Sequence, residues 1–208
     1  MNIKEAYQEW SEQYDTNENK TRDLEALALR SVLSTIKFQN VLEFGCGTGK
    51  NTVWFEQNAQ EVIAADFSEA MMAKAAQKIV TSNVEFVIAD INKPWNFTAD
   101  KFDLISFSLI LEHVESIDEI FNKSNNILQS GGYMYIGEFH PFKQYAGSKA
   151  RYTTSEGEQI VTCFTHNVSD FTEAAKKYNF SLLVLEEWFD DNDRTQIPRI
   201  LSLLFKKN

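Results

Sequence analysis

Cysteine is scarce in this chain of 208 residues: Cys46 and Cys163 are the two it has. Two thiols make no disulfide framework and suit a reducing compartment. Three prolines and eight glycines provide no Pro-rich or Gly/Ser linker, so the chain reads as ordered throughout. No apolar run is long enough to cross a bilayer, and no membrane insertion is expected. The opening stretch MNIKEAYQEW lacks the apolar centre of a secretion signal, so the expected location is cytoplasmic. Positive charge is short as well: 20 Lys and Arg stand against 30 Asp and Glu, a formal charge of −10. Such a surface repels polyphosphate backbones and argues against a nucleic-acid partner. The pairs Lys176-Lys177 and Lys206-Lys207 read as solvated ends of elements. Neither H-E-x-x-H nor paired C-x-x-C occurs, so no metal site is expected.

The hydrophobic pattern is informative. Ile3, Ala6, Tyr7, Trp10 and Tyr14 have helical spacing. A second helix is predicted from about Thr21, as N-cap, to Ile36, with Leu24, Leu27, Ala28 and Val32 as its apolar stripe. The period then shortens. Strands are predicted over Asn40–Phe44, Glu61–Ala65, Val84–Ala89, Phe102–Phe107 and Tyr133–Glu138. Helices are expected between them over Asn51–Asn58, from Ser68 to about Val80, and over Ser116–Leu128, with Gly131-Gly132 as the last break. Strands alternating with helices imply an α/β fold whose sheet is mostly parallel and covered on both faces. The segment from His140 to Thr165 has no helical pattern. A hairpin is expected there, with Tyr152–Ser155 and Ile160–Phe164 about a turn at Glu156-Gly157-Glu158. A helix over Ser169–Tyr178 follows, then strands over Leu182–Trp188 and Ile200–Phe205 as an antiparallel edge pair.

The chemistry concentrates in V-L-E-F-G-C-G-T-G-K-N-T, Val41 to Thr52, between the first strand and the next helix. Gly45, Gly47 and Gly49 permit positive φ and a close approach of backbone to ligand, beside the free N–H groups of a helix start. A dinucleotide fingerprint would need its third glycine at Lys50, and the phosphate loop's Gly-Lys-Ser/Thr ending is missing. Glu43, just before the turn, suits a ligand with an ammonium group better than a pyrophosphate. Asp66, about 20 positions on at the end of strand two, can accept from two ribose hydroxyls. Phe67 and Met71 offer an apolar wall for a base. Asp90 and Ile91, after strand three, offer an acceptor for an amino group and a cover for a ring face.

E-F-G-C-G-T-G, A-D-F-S-E-A-M-M, A-D-I, F-D-L-I-S-F-S-L-I-L-E-H-V and G-G-Y-M-Y-I-G-E resemble, in order and spacing over about residues 38–138, the motifs of class I S-adenosylmethionine-dependent methyltransferases. The resemblance implies a Rossmann-like seven-stranded sheet, mostly parallel with one antiparallel edge strand. It implies S-adenosylmethionine as cofactor. Glu43, Gly45, Cys46, Gly47 and Gly49 would lie near the methionine part, Asp66 at the ribose and Asp90 with Ile91 at the adenine, with Ser108 joining this set. A Tyr14-Asp15 pair on an N-terminal helix would close over the cofactor. The chain is then one domain over 1–208: N-terminal helices or lid over 1–36, cofactor core over 37–138, acceptor-side insert over 139–167, and a C-terminal helix and strand pair over 168–208.

The expected reaction is direct displacement of the methyl group onto a small-molecule acceptor, by a monomer or homodimer. His140, following strand five, is the candidate base, because imidazole titrates near neutrality. Tyr7, Trp10, His113, Tyr145 and Arg151 are candidate acceptor contacts; for His113 a structural role weighs more. Cys46 reads as a small packing residue rather than a nucleophile, since no basic partner is specified. His166 reads as a cap or packing residue. The competing readings are a protein-substrate methyltransferase, a non-catalytic S-adenosylmethionine-binding regulator or partner subunit, and a nicotinamide-dependent oxidoreductase.

Overall fold

The computed structural model describes residues 19–148, 151–154, 157–160 and 163–208. The predicted helix over Ile3–Tyr14, and with it Tyr7, Trp10, Tyr14 and Asp15, lies outside the described residues, as does the side chain of Arg151. In chain order the first elements are α1 (Lys20–Leu33), β1 (Asn40–Phe44), α2 (Thr52–Asn58), β2 (Glu61–Asp66), α3 (Glu69–Lys78), β3 (Val84–Ile88) and β4 (Phe102–Ser108). A 3₁₀ turn over Leu111–His113 leads to α4 (Ile117–Ile127), β5 (Leu128–Phe139) and α5 (Pro141–Tyr145). Then follow β6 (Arg151–Thr154), β7 (Gly157–Ile160), α6 (Val168–Lys177), β8 (Phe180–Trp188) and β9 (Ile200–Lys207).

Seven strands form one sheet in the order β3-β2-β1-β4-β5-β9-β8. The first five are parallel, and β9 runs antiparallel to both β5 and β8. The antiparallel member of the predicted last pair therefore sits one place in, with β8 as the border. Side chains alternate along each strand. Leu42, Phe44, Ile105, Phe107 and Met134 meet Ile120 and Phe121 of α4 and Phe171 of α6 on one face. Val41, Leu104, Tyr135 and Leu204 meet Leu29, Val32 and Leu33 of α1 and Phe55 of α2 on the other. Burial on both faces is why the inner strands read as near-continuous apolar runs.

Helix starts follow their caps. The Ser68 and Ser116 hydroxyls accept from the N–H groups of Met71 and Glu119, each at 3.4 Å, as the sequence predicts. In α1 the cap is Asn19, not Thr21: its side-chain Oδ1 accepts from the N–H groups of Thr21 and Arg22 at 3.1 Å. The buried face of α1 is also turned from the predicted stripe. Leu27 is 57% exposed, while Glu25, Ala28, Leu29 and Val32 are buried. An acidic residue thus occupies a core position, which a hydrophobic count passes over.

Three further differences lie downstream. β5 begins at Leu128, with Gly131 at φ +79° and a register shift against β4 between Phe102 and Leu104. The predicted glycine break is a bulge inside the strand. In the hairpin, Thr154 pairs with Gly157, so the second strand starts at a residue assigned to the turn. The helix α5 was not expected; His140 is its N-cap and Pro141 occupies its first turn, a pairing that itself signals a helix start. Among the described residues no helix is long and apolar enough to cross a membrane.

Candidate active site

β1, β2 and β3 end level with one another, since Phe44 pairs with Ala65 and Asp66 with Ile88. The glycine turn leaves β1 with Gly45, Gly47 and Gly49 at φ +75°, +53° and +85°. It is stitched to β2: the N–H groups of Gly45 and Cys46 donate to the Ala65 carbonyl at 2.8 and 3.2 Å. The glycines differ in what a side chain would meet. A Cβ on Gly45 would lie 2.6 Å from Ile110 Cδ1, whereas one on Gly47 would meet nothing within 4 Å. Gly45 is therefore set by packing, and Gly47 opens onto free space that a ligand can approach.

A cavity of about 310 Å³ lies at these strand ends, lined among others by Gly45, Asp66, Phe67, Asp90, Ile91 and His113. Five of these are predicted cofactor residues, and His113 was predicted on the acceptor side. Asp66 is buried; its Oδ2 accepts from the Gly47 N–H and its Oδ1 from the Ser68 N–H, both at 2.8 Å. Burial raises its pKa against these amides. A carboxylate oxygen has a second lone pair, so both remain able to accept from a ligand. Asp90 is exposed, with Oδ1 taking the Asn92 N–H at 2.9 Å. The Ile91 carbonyl receives Trp95 Nε1 at 3.1 Å and Lys123 Nζ at 2.9 Å, which fixes the loop after β3.

Beneath the turn lie buried acids. Glu43 accepts from Thr52 Oγ1 at 2.6 Å, and its pKa is pushed up to about 8, first by burial and then by Glu25 and Asp66. Glu25 of α1 accepts from Asn51 Nδ2 at 3.0 Å and from the Tyr135 hydroxyl at 3.3 Å. Burial raises it to about 7, while Asn51, Ser108 and Tyr135 hold it down. A Cβ on Gly137 would lie 2.5 Å from Glu25 Oε1, so that glycine is what lets α1 bring its carboxylate onto β5. Glu138, also buried, reaches about 8 through burial and then Glu112, opposed by three backbone N–H groups. Sequence reasoning missed Glu25, Glu138 and Ile110. The available signal was an acid on an apolar helix face for Glu25 and one closing an apolar strand for Glu138.

Other candidates fall elsewhere. Met71 is buried in the core and does not line the cavity. Cys46 packs with Ala64 and Met72, and burial, then Glu43 and Asp66, push its thiol pKa well up, which agrees with a packing role. Ser108, at the end of β4, lies beside Glu25. His140 is 0% exposed, and both ring nitrogens are engaged: Nδ1 accepts from the Phe142 N–H at 3.2 Å and Nε2 lies 3.1 Å from Glu187 Oε1. Burial lowers its pKa against the pull of Glu187. The predicted base is thus a buried helix cap, and the structure does not bring it to the cavity. Tyr145 is 66% exposed and donates to Asn167 Oδ1 at 2.8 Å, away from the cavity. His166 packs as expected, its Nε2 lying 2.7 Å from the Val114 carbonyl and 3.2 Å from that of Leu111. Among the described residues no cluster suited to a metal ion is present.

Residues 42–136 match the family model described as "Methyltransferase domain". Phosphoethanolamine N-methyltransferase 3 of Arabidopsis thaliana is 31% identical over 142 residues, 65% of this chain and 29% of that protein. Malonyl-[acyl-carrier protein] O-methyltransferase of Enterobacter lignolyticus is 30% identical, over 56% of this chain and 44% of that one. The chain spans less than half the length of either. The N-methyltransferase NodS of Bradyrhizobium japonicum WM9, solved with S-adenosyl-L-homocysteine, superposes with a TM-score of 0.72 at 18% identity, covering 100% of this chain and 99% of NodS.

Proposed function

We propose that this chain is a class I S-adenosylmethionine-dependent methyltransferase that moves the methyl group by direct displacement onto a small-molecule acceptor. The observation that carries the reading is the cavity framed by Asp66, Phe67, Asp90 and Ile91, next to a glycine turn that opens onto free space. These residues fit S-adenosylmethionine. Asp66 is the ribose acceptor, Asp90 and Ile91 meet the adenine with Phe67 as a wall, and Glu43, Gly45, Cys46, Gly47, Gly49 and Ser108 take the methionine side. Glu25, Glu43 and Asp66 offer that side buried carboxyls whose charged forms a ligand carrying ammonium and sulfonium charges would favour. The cofactor supplies a methyl group already activated by a positive sulfur, so the chain's work is to orient the acceptor and exclude water. Residues 37–138 are assigned to the cofactor, and 139–167, with Arg151, to the acceptor. Tyr7, Trp10 and Tyr14 are assigned to the lid. His140 is walled off and His113 lines the nucleoside cavity, so neither is assigned as a base.

The acidic surface and the relatives named for phosphoethanolamine and malonyl-[acyl-carrier protein] support a small or carrier-borne acceptor over nucleic acid. The test is transfer of labelled methyl from S-adenosylmethionine into a fractionated metabolite extract. Label in the small-molecule fraction is expected. Label confined to protein would replace this reading with a protein substrate. Tight cofactor binding with no transfer into any fraction would leave a regulator.

A further inference from the structure

The loop from Leu109 to Val114 delivers two residues, Ile110 and His113, to the cavity wall, and it is held from behind. Glu138, near the end of β5, accepts through Oε1 from the N–H groups of Ile110 at 3.0 Å and Leu111 at 2.8 Å. Its Oε2 accepts from Glu112 N–H at 3.4 Å. Three successive amides converge on one buried carboxyl group, a backbone nest filled by the protein itself. His166 closes the loop from the other side through the carbonyls of Val114 and Leu111, and the Phe164 N–H donates to the Glu112 carbonyl at 2.7 Å. Leu109 takes φ +55°, a left-handed conformation that a leucine keeps only when its neighbours impose it. The loop is thereby set so close to the glycine turn that Ile110 fills the space where a Gly45 side chain would stand.

We propose that Glu138 is a positioning residue for cofactor binding: by holding the amides of Ile110, Leu111 and Glu112, it fixes the loop where Ile110 and His113 complete the nucleoside cavity. The proposal rests on the reading that this cavity takes the nucleoside of S-adenosylmethionine. It differs from a purely structural role in its readout. A structural glutamate lowers the unfolding midpoint and leaves the folded protein's affinity alone, whereas a positioning one changes that affinity.

The experiment uses the full chain and two probes, adenosine and S-adenosylhomocysteine, in calorimetry on protein shown to be folded by circular dichroism. Glu138→Gln keeps the size and one acceptor oxygen; Glu138→Ala removes all three bonds. Both probes are expected to weaken by the same factor, about threefold for Glu138→Gln and about tenfold for Glu138→Ala, the latter equal to about 1.4 kcal/mol. Hydrogen exchange at the amides of Ile110–Glu112 should be slow in the wild type and faster in both variants. If Glu138→Ala does not fold, Glu138→Gln carries the test. Wild-type exchange already as fast as the variant's overturns the clamp. A folded variant with released amides and wild-type affinity for adenosine overturns the positioning role. A wild type with protected amides and no affinity for adenosine brings down the nucleoside reading, and the proposal with it, without involving the variants.

Discussion

The two walls of the cavity are built differently. The wall at the tips of β1, β2 and β3 is a main-chain device: three glycines at positive φ, and amides of Gly47 and Ser68 turned onto Asp66. The wall after β4 is a side-chain device. Ile110 and Leu111 stand where they do because of Glu138, 27 or 28 residues later, and Val114 because of His166, 52 residues later. The first depends on what backbone conformations allow. The second depends on buried groups satisfied at long range, where each lost partner leaves a desolvated acceptor or donor behind.

The comparison breaks most visibly at the contact between the walls. Gly45→Ala should cost about 4 kcal/mol in urea unfolding, combining overpacking against Ile110 with left-handed strain. S-adenosylhomocysteine binding should be lost with it. Gly47→Ala has the strain without the clash and should cost about 1 kcal/mol. Equal losses at the two positions would mean that Ile110 does not press on the turn.

Acidity tests the interior beneath the walls. The carboxyls of Glu25, Glu43 and Glu138 rise from 4.5 to about 7, about 8 and about 8. Their folded forms therefore keep protons that the unfolded chain has released. The contribution of these three groups to the stability of the ligand-free protein is undiminished below pH 4.5 and falls as pH rises to 7 or 8, with Glu25 alone accounting for about 3 kcal/mol. The urea midpoint should drop from pH 5 to pH 8, and Glu43→Gln should flatten the drop while weakening S-adenosylmethionine binding about tenfold. A midpoint that rises over this range would show that these acids are ionised when folded.

Smaller effects belong to the acceptor side. His140→Ala removes a buried cap and should cost about 2 kcal/mol, with the turnover number unchanged once an acceptor is known. A fall in turnover without a fall in stability would return His140 to the reaction. Tyr145→Phe removes one exposed hydrogen bond and should shift stability by less than about 0.5 kcal/mol. A larger shift would mean that Tyr145 holds more of the insert than Asn167.

The same contrast explains what could be read in advance. Strand order of appearance, the glycine turn, Asp66, Asp90 and the serine caps were legible because each follows from neighbours within a few positions. Glu25 was not, because its partners Asn51 and Tyr135 come from α2's start and β5. His140 misled for a related reason. Its place after a strand end suggested the cleft, but Pro141 starts a helix there, and the ring turns to cap it against Glu187. The bulge at Gly131 and the shifted hairpin arose from glycines that serve equally as breaks and as strand residues.

The placement of β9 has a consequence for how the molecule assembles. β8 precedes it in the chain but touches the rest of the sheet through β9 alone, which pairs with β5 from Tyr133 to Phe139 and with β8 from Phe180 to Trp188. Until residues 200–207 arrive, β5 presents an open row of amides and carbonyls, and β8 has nowhere to dock. Closure of the sheet therefore waits on residues 200–207, and a chain halted before Ile200 would expose the kind of unpaired strand through which proteins aggregate.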